Sequence, residues 1–265
     1  MKISLIITTF NWPESLLLVL KSIKAQSLSP DEIIIADDGS DISTKNLILS
    51  FNKHLDFKII HSWQEDIGFR AARSRNKAIL KSSGDYIILI DGDMILHKDF
   101  VRDHVNSAEN GFFVQGTRVL LSEKESRKAL IQKKINFSIF SPGIKNRKNS
   151  IHSKILFMLF SNKKNHLEGI KSCNMAFFKK DCINVNGFNN DFEGWGREDS
   201  EYVVRLINSG VTRKNVRFYA IQYHLWHDIS SRKSLAINNQ ILNETRENQI
   251  NWCVNGINSI AKNES

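Results

Sequence analysis

The triplet Asp91-Gly92-Asp93 sets two carboxylates on alternate residues directly after the apolar run Tyr86–Ile90. Hard oxygen ligands at this spacing suit Mg2+ or Mn2+, with a diphosphate supplying further oxygens. The rival reading is a plain Asp-Gly turn; a second acidic strand end, Asp37-Asp38-Gly39-Ser40, weighs toward the cation. The spaced ligands of an EF-hand loop are missing. In Glu193-Gly194-Trp195-Gly196-Arg197-Glu198-Asp199-Ser200-Glu201, three carboxylates fall within four residues after a Gly-Trp-Gly that is poor helix. They either complement a helix dipole or present a carboxylate to a substrate. Tyr223-His224-Leu225-Trp226-His227-Asp228 spaces two imidazoles by three, as metal ligands or as structural histidines. Gly68–Asn76 carries Arg70, Arg73 and Arg75 at a helix start, to hold phosphate or to form a solvated basic face. No GxGxxG or GxxxxGK[ST] loop occurs, so phosphate would be held by metal and arginine. No Ser-His-Asp or Cys-His arrangement stands out.

The elements that must position these groups alternate. Ile3–Thr8 reads as a buried strand; Pro13 marks a first helical position with Asn11 as cap, before the apolar-periodic stretch Leu16–Ala25. Glu32–Ala36 and Lys58–His61 read as strands, Gly68–Ser82 as a helix, and Tyr86–Ile90 as a fourth strand. Continuous apolar runs suit strands covered on both faces, and the βαβα order predicts a mostly parallel, doubly wound, Rossmann-like α/β sheet. Ligands then bind beyond the carboxyl ends of the strands. Thr8-Thr9, Asp37-Asp38 and Asp91–Asp93 would share that rim. Further on, Phe112–Val119 and Arg217–His224 read as strands, Ser172–Phe178 as an apolar segment, and Ser200–Ser209 as a helix.

The chain has 265 residues, 41% hydrophobic and 25% charged, enough for a full core in one α/β domain. Three cysteines without metal-type spacing suggest no disulfide framework and a reducing compartment. The apolar start MKISLIITTF is too short for a signal peptide, and no stretch reaches transmembrane length, so a cytoplasmic location is expected. The net charge of +9 is concentrated: residues 126–167 hold ten Lys or Arg and no acid. Within it, Ile151–Phe160 has one lysine, which fits either a segment lying on an anionic membrane or an ordinary helix whose apolar face joins the core. All five tryptophans lie outside the basic block and the rim is acidic, which argues against a nucleic-acid-binding module. A metal-dependent nucleotidyltransferase stays open on the residues alone.

TTFNWPESL, IIIADDGS, GFRAARSRN and YIILIDGDM, in this order and spacing, resemble the nucleotide-sugar-binding half of family 2 glycosyltransferases, which have the GT-A fold. CNMAFFKKD…VNGFN…GWGREDSE resembles the acceptor-side motif of β-1,4-galactosyltransferases and bacterial chondroitin-polymerase-type enzymes. The resemblance implies a nucleotide-sugar-binding part over 1–110, an acceptor-binding part over 111–230 and a helical extension over 231–265. It implies that Thr8, Thr9, Phe10, Asn11 and Asp38 contact the nucleoside. Arg70 or a neighbouring arginine such as Arg73, with Asn76 nearby, approaches the diphosphate. Asp91, Gly92 and Asp93 meet the metal and the UDP-sugar, with His227 and His224 as downstream metal ligands. Trp195 packs on sugars, Glu198 holds a sugar and Asp199 is the base. The function implied is inverting, Mn2+- or Mg2+-dependent transfer of Gal, GalNAc, GlcNAc or Glc from a UDP-sugar to a glycan or lipid-linked glycan acceptor, in surface polysaccharide or lipopolysaccharide synthesis. Arg197 stands where the related motif commonly has glycine; its cation is expected to favour an ionised Asp199.

Overall fold

The computed structural model describes residues 1–52, 58–228 and 231–264. The chain begins with β1 (Ile3–Thr9), α1 (Pro13–Lys24), β2 (Glu32–Asp37), α2 (Ile42–Asn52), β3 (Lys58–Trp63), α3 (Ala71–Lys81) and β4 (Tyr86–Asp91). There follow β5 (Met94–Leu96), α4 (Phe100–Ser107), β6 (Phe112–Gln115), β7 (Thr117–Leu120), α5 (Glu123–Gln132) and α6 (Lys154–Phe160). The remainder comprises β8 (Asn162–Lys163), β9 (Asn174–Phe178), α7 (Lys179–Asn184), α8 (Glu198–Asn208), β10 (Thr212–Asn215), β11 (Ile221–His224), α9 (Leu235–Glu247) and α10 (Ile257–Glu264).

The central sheet runs β3-β2-β1-β4-β9-β6-β10-β8, and the three pairings among β1 to β4 are parallel. Alternate residues of the apolar runs feed two cores. Leu5, Ile7, Ile33 and Ile35 pack against Leu16, Val19 and Leu20 of α1. Ile6, Ile34, Ile87 and Leu89 pack with Ala78 and Ile79 of α3 and Tyr202 and Val203 of α8. A one-residue slip would exchange these faces, so the register is strongly specified. The strand order reverses at β1, which lies between β2 and β4, and Thr8 stands beside Asp91 in that register. The crevice at this switch point is where an α/β sheet takes its ligand.

β9 enters antiparallel between β4 and β6, so segments beyond residue 110 complete the sheet that the first hundred residues begin. The run 112–119 is two strands, not one. Gly116 donates its N–H to Asn174 O at 3.0 Å, and a Cβ there would stand 2.3 Å from Asn174 Oδ1. The chain breaks at this close approach; β6 stays in the central sheet and β7 joins a small sheet ordered β5-β11-β7. The expected strand 217–224 shortens to β11 because Phe218 and Ala220 take positive φ, 62° and 47°. Asn11 does not cap α1: Trp12 is the cap residue without a side-chain bond, while Asn11 Oδ1 accepts from Asp41 N–H at 2.9 Å. α3 starts at Ala71 rather than Gly68, which has φ 76°.

The basic block does not form one surface. Ala129 of α5, Phe137 and Ile144 join a third core with Val119 and Tyr223, and Phe157 of α6 stacks on Tyr219 at 4.3 Å. The rest of α6 is open to solvent, with Leu159 71% exposed. No helix among the described residues is long and apolar enough to cross a membrane.

Candidate active site

A cavity of about 740 Å³ lies beyond the carboxyl ends of β1 and β4. Thr8, Thr9, Phe10 and Asp38 form one side of it, and Trp195, Glu198 and Asp199 the other. Asp91 and Asp93 lie on its floor with His224 and His227.

The metal-type cluster is assembled by the small sheet. β11 pairs antiparallel with β5, setting His224 opposite Met94, and Leu225 N–H donates to Asp93 O at 3.0 Å. The Asp93 carboxylate then lies 3.0 Å from His224 Nε2 and 3.2 Å from His227 Nε2. Burial alone would raise Asp93, but the hydrogen bonds from both imidazoles hold it well below the usual carboxylate range. The bond to Asp93 lifts His227, against its own burial, to about 9. A site with these electrostatics wants positive charge between the three groups. Asp93 Oδ1 is buried without a partner, and the three ligand atoms lie within 4.8 Å of one another. One carboxylate and two imidazoles of this kind fit a divalent metal ion, with Asp91 nearby as a further oxygen donor.

Arg75 joins the two sides. Its guanidinium is 3.1 Å from Thr8 Oγ1, 3.4 Å from Asp91 Oδ1 and 3.2 Å from Glu198 Oε1, linking β1, β4 and α8. Its side chain is 5% exposed, and both neighbouring carboxylates offset the cost of burying it.

Asp199 opens α8. Its Oδ2 accepts from Ser172 N–H at 3.3 Å and its Oδ1 from Ser200 N–H at 2.7 Å. Burial and the adjacent Glu198 push its carboxyl up to about 7, with Arg75 opposing them. A carboxylate poised there can take a proton near neutral pH. Gly194 and Gly196, at φ 72° and 107°, make the turn that leaves Trp195 on the wall, under the Arg232 guanidinium at 5.5 Å. Burial pushes the Cys173 thiol in the same wall up to about 12, which removes it as a nucleophile.

Several expected residues are placed elsewhere. Arg70 uses its backbone N–H on Asp38 Oδ2 at 2.7 Å and its guanidinium on Glu65 O, so it braces the loop and does not line the cavity. Arg73 does not line it either. Asn76 is turned into the core, bonded to Phe188 O at 2.7 Å and Phe188 N at 2.8 Å. Asn11 ties the end of β1 to Ser40 and Asp41, and Gly92 enters through its backbone, donating to Thr8 O at 2.7 Å. Arg197 lines the cavity, but its guanidinium is tied to Asn239 Oδ1 at 2.7 Å and the cation acting on Asp199 is Arg75, which corrects the role expected of Arg197. Of the three arginines it is Arg75, not singled out by the resemblance, that faces the cavity, and its helical spacing carried the signal. Positions 71, 72, 75, 76, 78 and 79 share one face of α3, all buried, and 70, 73 and 77 do not. Arg118, Lys171 and Arg232 also line the cavity and had no such signal.

The glycosyl transferase family 2 profile matches residues 4–184, and the profile described as the N-terminal domain of galactosyltransferase matches 155–228. The chain is 27% identical over 241 residues to a hyaluronan synthase of Pasteurella multocida, covering 81% of this chain and 24% of that protein. It is 25% identical over 244 residues to a chondroitin synthase of Escherichia coli, covering 84% of this chain and 34% of the relative. It therefore spans about a quarter to a third of the length of these relatives. Among solved structures, S. aureus TarS in complex with UDP superposes with a TM-score of 0.62 at 14% identity, over 91% of this chain and 64% of the other, a likeness of fold. On the match over more than half of its length, the chain belongs to glycosyl transferase family 2, with the GT-A fold.

Proposed function

We propose that the chain is an inverting, metal-dependent glycosyltransferase that moves a hexose or N-acetylhexosamine from a UDP-sugar to a glycan hydroxyl during surface polysaccharide assembly. The observation that carries this reading is one cavity lined both by Asp199, a carboxylate poised near neutrality, and by the cluster Asp93, His224 and His227. Arg75, in the same cavity, is paired to their sequence neighbours Glu198 and Asp91. Family membership and the names of the synthase relatives support the substrate class.

In this reading Asp199 accepts the proton of the acceptor hydroxyl as its oxygen bonds to the anomeric carbon from the face opposite the leaving group. The bond from that carbon to the diphosphate oxygen breaks with its electron pair, releasing UDP and inverting the configuration. Asp91, Asp93, His224 and His227 would hold a divalent metal, which when bound would supply Lewis-acid neutralisation of charge on the diphosphate. Arg75 keeps Glu198 and Asp91 at fixed separation, and Trp195 offers an apolar face to a sugar. Phe10, Thr8 and Asp38 lie where the nucleoside would rest.

UDP release from UDP-Gal, UDP-GalNAc, UDP-GlcNAc and UDP-Glc, with and without a saccharide acceptor, tests this reading. Acceptor-dependent release that is lost in chelator and in Asp199→Asn is the expected result. Release untouched by both would overturn it.

A peripheral membrane contact belongs to the same proposal. Ile155, Met158, Leu159 and Phe160 of α6 are all at least half exposed, with Lys154, Lys164 and Arg217 beside them. Each basic residue near an anionic surface contributes roughly 1 kcal/mol. Flotation with anionic but not neutral liposomes is expected, and no binding to either would remove the contact.

A further inference from the structure

A second cavity of about 500 Å³ opens beside the first and shares Arg118 and Lys171 with it. No Asp or Glu lines it. Its floor lies where the chain breaks at Gly116, and its walls come from β7, the turn at 146–149, β8 and β10.

Arg118 and Lys171 are half-buried without a counter-ion: among the described residues, no carboxylate lies within ion-pair distance of either. The Arg118 guanidinium reaches Cys173 Sγ at 4.0 Å, and the Lys171 ammonium reaches Gly169 O at 3.4 Å. Burial and the adjacent Arg118 lower Lys171 below the usual lysine range, with the more distant Asp199 opposing them only in part. Of the buried arginines, Arg75 and Arg205 face carboxylates, as in Arg205–Glu201 at 2.7 Å. Arg213 donates to the carbonyls of His166 and Glu168 at 2.8 and 2.7 Å, whereas Arg118 and Lys171 have neither arrangement among the described residues. Two adjacent, partly desolvated cations are unfavourable unless a ligand brings the missing charge.

Both are held in place through their backbones. Arg118 O accepts from Asn146 Nδ2 at 2.9 Å and Asn149 Nδ2 at 3.0 Å. Gln115 clamps Lys171 at both backbone groups, accepting from its N–H at 3.1 Å and donating to its carbonyl at 3.0 Å. The next residue, Ser172, donates its N–H to Asp199. Lys171 therefore stands one residue from the carboxylate that would take the acceptor proton. Farther out, Asn162 Oδ1 is buried without a partner on the groove wall, an acceptor for a sugar hydroxyl.

We propose that this groove is an acceptor subsite for a saccharide bearing an anionic group, carboxylate or phosphate, held between Arg118 and Lys171 next to the unit whose hydroxyl meets Asp199. The inference rests on the reading of Asp199 as the base of glycosyl transfer. An anion there completes two charge-assisted contacts and relieves the repulsion between the cations. A neutral saccharide would leave both unpaired.

Binding of the whole chain, with UDP and Mn2+, is measured on immobilised probes. These are an oligosaccharide alternating uronic acid and N-acetylhexosamine, the same oligosaccharide after carboxyl reduction, and a polyol-phosphate oligomer. At least about tenfold tighter binding of a charged probe than of the reduced one is expected. It should weaken sharply in about 0.5 M salt. The carboxylate and phosphate arms tell the two sources apart. In Arg118→Gln/Lys171→Gln the charged probe is expected to fall to the level of the reduced one. Equal binding of charged and reduced probes by the unaltered chain would overturn the subsite, and that comparison needs no variant. A loss of UDP affinity in the double variant as large as the loss of glycan affinity would also overturn it, assigning the cations to the donor. Failure of the unaltered chain to bind UDP in a separate titration would instead strike the glycosyl-transfer reading.

Discussion

The two walls of the cavity are built by different means. On the donor side, Thr8, Asp38 and Asp91 end three neighbouring parallel strands, each delivered by a βα unit adjacent in sequence. On the side proposed for the acceptor, Lys171 meets Gln115 across 56 residues and Ser172 meets Asp199 across 27. Backbone strain is present on both sides, with positive φ at Arg197 beside Asp199 and at Asn11 beside the end of β1. A wall made of strand ends inherits its geometry from the sheet. A wall made of loops has to be tied, here by amide side chains and one buried arginine.

The comparison breaks most visibly at Asp199. Asp199→Asn should lower kcat by about 10³-fold with circular dichroism unchanged, because a general base is lost without loss of packing. Turnover within a few-fold of the parent would place the base elsewhere.

Arg75→Met tests whether the walls are independent. Removing the cation leaves Asp91 and Glu198 facing each other half-buried, and about 3 kcal/mol of stability should be lost. Denaturant unfolding reads this, and an unchanged midpoint would show that Arg75 does not couple the walls. Asp93→Asn acts on the donor floor alone. Mn2+ affinity by calorimetry should fall roughly 10–100-fold, with thermal stability little changed.

The pH dependence sharpens the contrast. Asp199 is raised to about 7 and in the proposed mechanism acts in its ionised form, so kcat/KM should fall as pH drops below about 7. Glu198→Gln removes a neighbouring negative charge, so in whatever activity remains this limb should move to lower pH. A limb that stays in place would show that Glu198 does not govern it. The smallest effect is expected at Arg197. Its φ of 78° is strained for a side-chain-bearing residue, and Arg197→Gly should stabilise the fold by about 1 kcal/mol in thermal unfolding, with activity kept.

Much of the donor wall was legible because its signals are local. IIIAD and YIILID are short, isoleucine-rich apolar runs closed by carboxylates, and their length and β-branched content mark covered strands whose ends face the crevice. Arg75 was legible in principle from the inward face of α3, yet the three arginines look alike until the helix phase is applied. The break at Gly116 had no local signal, because it depends on Asn174 lying against that backbone. Nor did the meeting of Asp93 with His224 and His227, which depends on the register between β5 and β11.

The sequence by itself determined the parallel strands and the acidic rim, since strand periodicity acts over a few residues, while Asp199 was singled out among the carboxylates of α8 only by the family resemblance. Only the tertiary structure decided which arginine faces the carboxylates, how far Asp199 is raised, and that Arg118 and Lys171 stand unpaired beside it. Those are properties of groups brought together across the chain, and desolvation and charge interaction depend on distance in space, not on spacing in sequence.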